Sequence, residues 1–184
     1  MYATSDFRNG LKILIDGVPY EITYFQHVKP GKGGAFVRTK IRNLTNNSVI
    51  DKTFRSSEKV GIPDISQEQM QFLYEDGDFH FMNTSTYDQM NVPREAIGDK
   101  ALFLKENDTV GVLLFEGKVI NVELPAFAEL VVTSCEPGVK GDTVSGASKP
   151  ATLETGASVQ VPLFINEGDV LKIDTRSGEY VERV

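Results

Sequence analysis

Short apolar runs separated by turn-forming dipeptides extend through the whole chain and constrain its fold more than any other feature of the sequence. The longest unbroken apolar stretch, Val110–Phe115, has six residues, far too few for a membrane-spanning helix. Asp16-Gly17 and Glu116-Gly117 each join two such runs, as in a β-hairpin, because glycine tolerates the positive φ of a tight turn. The spacing therefore predicts an all-β protein made of small barrels.

The predicted elements are nearly all short strands. They are Leu11–Ile15, Tyr20–Val28, Ala35–Ile41, Val49–Phe54, Met70–Tyr74, Asp78–Met82, Val110–Phe115, Lys118–Leu124, Glu129–Thr133, Ser158–Ile165, Val170–Asp174 and Tyr180–Val184. Apolar residues at helical spacing predict one helix over Arg94–Lys105, which Gly98 weakens. The stretch Glu136–Glu154 is rich in Gly, Ser, Thr, Pro and Lys, and this composition predicts a long polar loop.

Two changes in composition divide the chain into three predicted domains, residues 1–63, 64–127 and 128–184. The boundaries fall near Gly61-Ile62-Pro63 and Pro125-Ala126, and the sign of the charge changes at the first of them. The first segment has 10 Lys and Arg against 5 Asp and Glu, the second has 4 against 12, and the third has 5 against 9. A basic segment on an acidic chain suggests a surface for nucleic acid, although an ordinary mixed-sign surface would explain the same totals.

The sequence offers little for catalysis or metal binding. One cysteine and two distant histidines argue against a zinc site, and no phosphate-binding or dinucleotide-binding glycine motif is present. A hydrolase would need Cys135 as nucleophile, His80 as base and Asp78 as the orienting group, but nothing in the sequence brings them together. We therefore predict a protein that is not an enzyme and has no metal or cofactor. The N-terminus has no signal-peptide pattern, so we expect a cytoplasmic protein that does not interact with a membrane.

The motif Pro30-Gly31-Lys32-Gly33-Gly34, between two predicted strands, is the most informative local feature. Three glycines surround one long cation, so Lys32 has no bulky neighbour and the loop can approach another surface closely. Four more cations flank the tip, namely Lys29, Arg38, Lys40 and Arg42. The last three alternate along one predicted strand and should share a face. This pattern suggests contact with a phosphate backbone, although an ordinary solvated hairpin tip would fit the spacing as well.

Four separated blocks carry a recognisable pattern, and a family signature lies within the third of them. The blocks are FRNGLKILIDG, VKPGKGGAFVRTKIRNL, PGVKGDTVSGASKPATLETGASVQVPLFINEGD and IDTRSGEYVERV. Residues 149–168 match the signature Lys-x-Ala-x₄-Gly-x₂-Val-x-Val-Pro-x₂-Ile-x₂-Gly at every fixed position. Over essentially its full length, the chain resembles the bacterial translation elongation factor P family, which is related to the eukaryotic and archaeal factors that carry hypusine.

The resemblance implies an N-terminal SH3-like (KOW-like) barrel and two OB-fold barrels in an L-shaped arrangement that mimics tRNA. It implies a monomer that contacts both ribosomal subunits between the peptidyl and exit tRNA sites and relieves stalling at consecutive prolines. Lys32 matches the position that a lysine-modifying enzyme extends in this family, so that the side chain reaches the CCA end of peptidyl-tRNA, especially prolyl-tRNA. The β-lysine and aminopentanol routes and an unmodified lysine all stay open.

Two residue sets follow from the same resemblance. The predicted tRNA-binding set is Lys29, Gly31, Lys32, Gly33, Arg38, Lys40 and Arg42. The set predicted to contact the small subunit and the mRNA at the exit-site codon is Gly141, Asp142, Thr143, Tyr180 and Arg183. Two alternatives are an elongation-factor-P-like paralogue, which differs around the loop, and a generic OB-fold RNA-binding protein. The generic binder would not need the Lys32 tip.

Overall fold

The computed structural model describes residues 1–138 and 146–184, and nearly all of their regular structure is β-strand. The chain divides into two compact units, one of Met1–Gln67 and Leu113–Asn121, the other of Glu68–Val112 and Val122–Val184. No helix in the described ranges is long and apolar enough to cross a membrane. The all-β prediction is confirmed, while the predicted boundaries of three domains stay a prediction.

Six strands form the N-terminal barrel. They are β1 (Tyr2–Ala3), β2 (Lys12–Ile15), β3 (Val18–Val28), β4 (Phe36–Asn43), β5 (Val49–Arg55) and β6 (Lys59–Val60). Strands β2 to β5 form an antiparallel sheet in chain order, β1 pairs with β6, and a short 3-10 helix, Thr4–Asp6, follows β1. Asp16 and Gly17 have φ of 50° and 78°, so the predicted hairpin turn between β2 and β3 is confirmed. Phe7, Ile13, Ile22, Val37, Ile41 and Phe54 belong to the buried core of this barrel.

Five strands follow in the central part of the chain. They are β7 (Ile65–Glu75), β8 (Phe79–Asn83), β9 (Gln89–Val92), β10 (Thr109–Phe115) and β11 (Lys118–Glu123). They form one sheet with the order β11-β10-β7-β8-β9. The buried ring of Phe72 packs against those of Phe79 and Phe81, with centroids 5.5 Å apart in both pairs. Strand β9 alternates polar and apolar side chains but has only four residues, and so short a run is not predicted from the sequence.

The predicted helix over Arg94–Lys105 is only partly right. One turn of α-helix, α1 (Arg94–Ile97), is followed by a 3-10 helix, Gly98–Phe103. Gly98 has φ 59° and ψ −140°, which no residue inside an α-helix adopts, so α1 ends there. Phe103, the last residue of the 3-10 helix, packs against the core of the C-terminal strands.

Five strands form the C-terminal barrel. They are β12 (Phe127–Cys135), β13 (Ser148–Leu153), β14 (Ser158–Pro162), β15 (Val170–Asp174) and β16 (Glu179–Arg183), in the sheet order β14-β13-β12-β15-β16. The prediction of a polar loop over Glu136–Glu154 is wrong for β13. Lys149 is buried on this strand, on the same face as Ala151 and Leu153, and its Nζ donates to the carbonyl of Glu136 at 2.5 Å. A buried lysine conceals the alternation that would identify the strand.

Candidate nucleic-acid interface

The hairpin of β3 and β4 carries the Pro30–Gly34 tip beyond its last strand pair, Val28 opposite Phe36. Residues 29–34 are all exposed. Within the described part of the chain, neither Lys32 nor Lys29 makes a hydrogen bond or an ion pair. Lys32 therefore lies at the end of a two-stranded arm, with its whole side chain available to a partner.

The backbone conformation requires glycine at only one of the three glycine positions of the tip. Gly33 has φ of 111°, a backbone conformation that residues with a Cβ rarely adopt, so the turn itself requires glycine there. Gly31 and Gly34 lie outside that region, and a Cβ added at either would meet nothing within 4 Å. The fold of this chain therefore does not require glycine at positions 31 and 34. Because glycine has no side chain, these two positions place no bulky group near Lys32.

Arg38, Lys40 and Arg42 share the exposed face of β4, as predicted, while the residues between them are buried. Two of these cations are paired with carboxylates on the neighbouring strands. Lys40 Nζ lies 3.7 Å from Asp51 Oδ1 on β5, and Arg42 Nη2 donates to Glu21 Oε2 on β3. Both pairs join residues that lie directly opposite each other in the sheet. The basic face is thus partly neutralised, and a phosphate must compete with Asp51 and Glu21.

An open cleft of about 270 Å³ lies on this same face, across β3, β4 and β5. Tyr24 lines it in register with Lys40, and Gln26 lines it in register with Arg38. Tyr24 is 47% exposed, so its ring is presented to solvent beside two cations. Cations and an aromatic ring suit the phosphates and bases of a nucleic acid. Sequence reasoning does not find Tyr24 or Gln26, because only the strand register shows which residues flank the cations.

The residues predicted to contact mRNA have different positions. Gly141, Asp142 and Thr143 lie outside the described residues. Tyr180 is half-buried and packs against the core of the C-terminal barrel. Arg183 is exposed on β16, where its Nη1 lies 3.6 Å from Asp169 Oδ2 and its guanidinium lies over the Phe164 ring at 5.3 Å.

Cys135 and His80, which a hydrolase would need as nucleophile and base, each contact other groups. Cys135 Sγ donates to a backbone carbonyl at 3.6 Å and packs against the C-terminal core. His80 Nε2 lies 2.7 Å from Asp76 Oδ1, not from Asp78, and its ring stacks on Tyr74 with centroids 4.3 Å apart. This hydrogen bond holds the pKa of Asp76 below its usual value. No group of three or more His, Cys, Asp or Glu in the ranges 1–138 and 146–184 could hold a metal ion.

The fold and the exposed hairpin place the chain in the class of multi-barrel β proteins that present a basic loop. Three family models match it in succession. They are described as the elongation factor P KOW-like domain over residues 3–60, the elongation factor P OB domain over residues 65–122, and elongation factor P, C-terminal, over residues 128–183. The chain therefore belongs to the elongation factor P family. The predictions of that family and of KOW-like and OB folds are confirmed.

Curated relatives and solved structures agree with this family. The chain is 59% identical to elongation factor P of Maridesulfovibrio salexigens, over 100% of this chain and 99% of the relative. It is 54% identical to elongation factor P of Natranaerobius thermophilus, over 100% and 98%. Eukaryotic translation initiation factor 5A from Methanococcus jannaschii matches with a TM-score of 0.52 and 26% identity, over 66% of this chain and 92% of that one. The homologues are translation factors rather than classical enzymes.

Proposed function

We propose that this chain is a translation elongation factor that binds the ribosome between the peptidyl and exit tRNA sites. There it speeds peptide-bond formation and relieves stalling at consecutive prolines. The observation that carries the proposal is the tip itself. Lys32 is exposed and unpaired at the end of an arm, between glycines at 31 and 34 that the fold does not need. Such a tip suits a narrow space in a partner, which a side chain at either position would block.

The proposed mechanism needs no acid or base from the protein. Proline is a poor substrate in peptide transfer because its ring fixes φ and hinders its nitrogen. Lys32, lengthened by a modifying enzyme, holds the CCA end of prolyl-tRNA in a reactive position. Favourable positioning contributes up to about 7–11 kcal/mol in ideal cases. A small part of that is sufficient, since about 1.4 kcal/mol changes a rate tenfold.

The basic face of β4 serves in this proposal as the anchor for the acceptor arm of the tRNA. Lys29 and Arg38 have no carboxylate partner in the described residues and are ready to meet phosphates. Lys40 and Arg42 exchange their bonds to Asp51 and Glu21 for bonds to phosphate. Exposed ion pairs of this kind contribute only about 0–1 kcal/mol, so the exchange is easy. Gly31 and Gly33 complete the proposed tRNA contact by letting the backbone approach the RNA.

The C-terminal barrel has the complementary role in the proposal. Gly141, Asp142 and Thr143 contact the mRNA at the exit-site codon, and Arg183 contacts RNA on the small subunit. The exposed guanidinium of Arg183 supports its part of the proposal. Tyr180 belongs to the same proposed contact, and because it packs against the core only part of its side chain is available to RNA. The division into three domains, the monomeric state and the cytoplasmic location also belong to this proposal.

The test is synthesis of a reporter with three consecutive prolines in a translation system that lacks the factor. We expect natively purified protein to restore full-length product from this reporter and to leave a proline-free reporter unchanged. Equal stimulation of both reporters, or of neither, would contradict the proposal. The first result would favour a general RNA-binding protein, and the second would favour the paralogue.

A pair of glycine variants separates contact with a partner from folding. We expect Gly34→Ala to leave the thermal unfolding of the protein unchanged, because the new Cβ meets open space. It should nevertheless reduce rescue of the three-proline reporter, because the methyl group is added to the exposed tip, two residues from Lys32. Gly33→Ala should reduce rescue too, but it should also lower the free energy of unfolding by about 1 kcal/mol, since alanine disfavours positive φ. Full rescue by Gly34→Ala would show that the tip does not need a bare backbone at position 34 to reach its partner.

A further inference from the structure

Two hairpin ends in different parts of the chain are built in the same way. One is the turn from Asn43 to Ser48 between β4 and β5, and the other is the turn from Asn83 to Asp88 between β8 and β9. In each, the backbone N–H of the asparagine donates to the carbonyl of the last residue at 2.8 Å. In each, the asparagine Oδ1 accepts a bond from the backbone N–H two residues later, also at 2.8 Å. The two turns therefore impose the same backbone conformation on their fifth residue.

The fifth residue is where the two turns differ. Asn47 has φ of 60° and Tyr87 has φ of 62°, so both lie in the left-handed region. Asparagine visits this region readily, whereas a bulky aromatic residue does so at a cost in conformational energy. The backbone bonds that the two turns share do not require tyrosine, because the first turn makes them with Asn47 at the same position. Strain that the local structure does not need is typical of a functional position.

Tyr87 is also the most exposed aromatic side chain of the described residues, at 71%. Its ring projects from a turn that further hydrogen bonds hold in place. The side-chain amide of Asn83 donates to Glu68 Oε2 at 2.8 Å, and its Oδ1 accepts a second backbone bond from Thr86 at 3.0 Å. A rigid turn that presents a bare aromatic ring is well suited to docking, because little entropy is lost when the ring is covered.

The charge around this turn indicates which partner fits it. The carboxylate of Glu68 lies at the turn, where it accepts from the side-chain amide of Asn83, and residues 64–93 contain no Lys or Arg. Asp88 is exposed in the turn itself, directly after Tyr87. Such a surface repels phosphate, so it is unsuited to RNA. It attracts a protein surface rich in Lys and Arg, whose cations also stack favourably on a tyrosine ring.

We propose that Tyr87 and the acidic turn around it dock on a basic protein surface of the ribosome. This inference rests on the proposed function, because that function supplies the ribosome as the partner. The contact residues belong to a different compact unit of the chain from the hairpin of β3 and β4. Tyr87 is thus a residue for binding the ribosome, not for positioning the CCA end.

The first test compares the affinity of purified ribosomes for the wild type and two variants. We expect Tyr87→Asn to lower the affinity about tenfold, as for a buried aromatic anchor. Its melting temperature should equal or exceed that of the wild type, because asparagine relieves the strained φ. Tyr87→Phe keeps the ring and should bind like the wild type. If Tyr87→Asn binds normally while the wild type binds and rescues the proline reporter, the docking inference fails and the proposed function stands. If the wild type does not bind ribosomes, both fail.

The second test identifies the partner. A photo-crosslinking amino acid, p-benzoylphenylalanine, replaces Tyr87, and the irradiated complex with purified ribosomes is divided between ribonuclease and protease. We expect an adduct that survives ribonuclease and is a Lys- and Arg-rich ribosomal protein. The same amino acid at Asn47 is the matched control in the equivalent turn, and it should not give that adduct. An adduct that ribonuclease removes, or the absence of any adduct at position 87, would overturn the inference.

Discussion

Full-length synthesis of a three-proline reporter should fall to the factor-free level when Lys32→Ala replaces the wild-type protein. The substitution removes the whole side chain beyond Cβ, and with it any group that a modifying enzyme adds. It removes no contact within the described residues, because Lys32 is exposed and unpaired. Folding should therefore be unchanged while activity decreases at least about tenfold, which corresponds to about 1.4 kcal/mol of lost positioning.

Lys118→Ala is the matched control for this experiment. Lys118 is also exposed and follows a glycine in a hairpin, but it has no place in the proposed tRNA contact. It should rescue the reporter like the wild type, and all three proteins should melt together. Lys32→Arg keeps a cation but not the primary amine, so it should fail as well if modification is needed. Rescue by Lys32→Ala at the wild-type level would contradict the assignment of Lys32.

Much of the fold can be predicted from local sequence patterns, and the elements that are not predicted have identifiable physical causes. Turn dipeptides such as Asp16-Gly17 specify hairpins because few residues accept two successive positive φ angles, and the structure has 50° and 78° there. Strand β13 is not predicted because Lys149 occupies a buried position that the pattern assigns to an apolar residue. Its ammonium group donates to the carbonyl of Glu136, just beyond the end of β12, and a bond between residues so far apart in the chain leaves no mark in either local sequence.

Some features of the candidate interface can likewise be predicted from the sequence, and others need the structure. Alternation along β4 is sufficient to predict that Arg38 and Lys40 share a face, because side-chain direction in a strand is local. Their partners depend on register, so the pairing of Lys40 with Asp51 needs the neighbouring strand. Tyr87 carries no sequence signal at all. Its importance is a matter of φ and exposure, which only coordinates provide.

Phe54→Ala should lower the free energy of unfolding of the N-terminal barrel by about 3–5 kcal/mol. Phe54 is 2% exposed, its ring meets that of Phe7 edge-on at 5.2 Å, and it lies opposite Val37 on β4. Deleting the ring leaves a cavity beneath the hairpin that carries Lys32. Typical domains have only about 5–15 kcal/mol of stability, so the loss is a large fraction of the total. Calorimetry or denaturant titration, followed by a probe in this barrel, measures it.

Thr53→Ala is the control, because Thr53 is exposed on the same strand and its neighbour Phe54 is buried. It should change stability by no more than about 1 kcal/mol.

The comparison with Lys32→Ala distinguishes two ways of losing activity. Phe54→Ala should rescue the proline reporter normally at temperatures where its barrel is folded, and lose rescue in parallel with unfolding. Lys32→Ala should fail at every temperature while fully folded, since the barrel supplies only the position of the tip and Lys32 supplies the contact. Loss of rescue by Phe54→Ala well below its melting transition would mean that the core also shapes the contact itself.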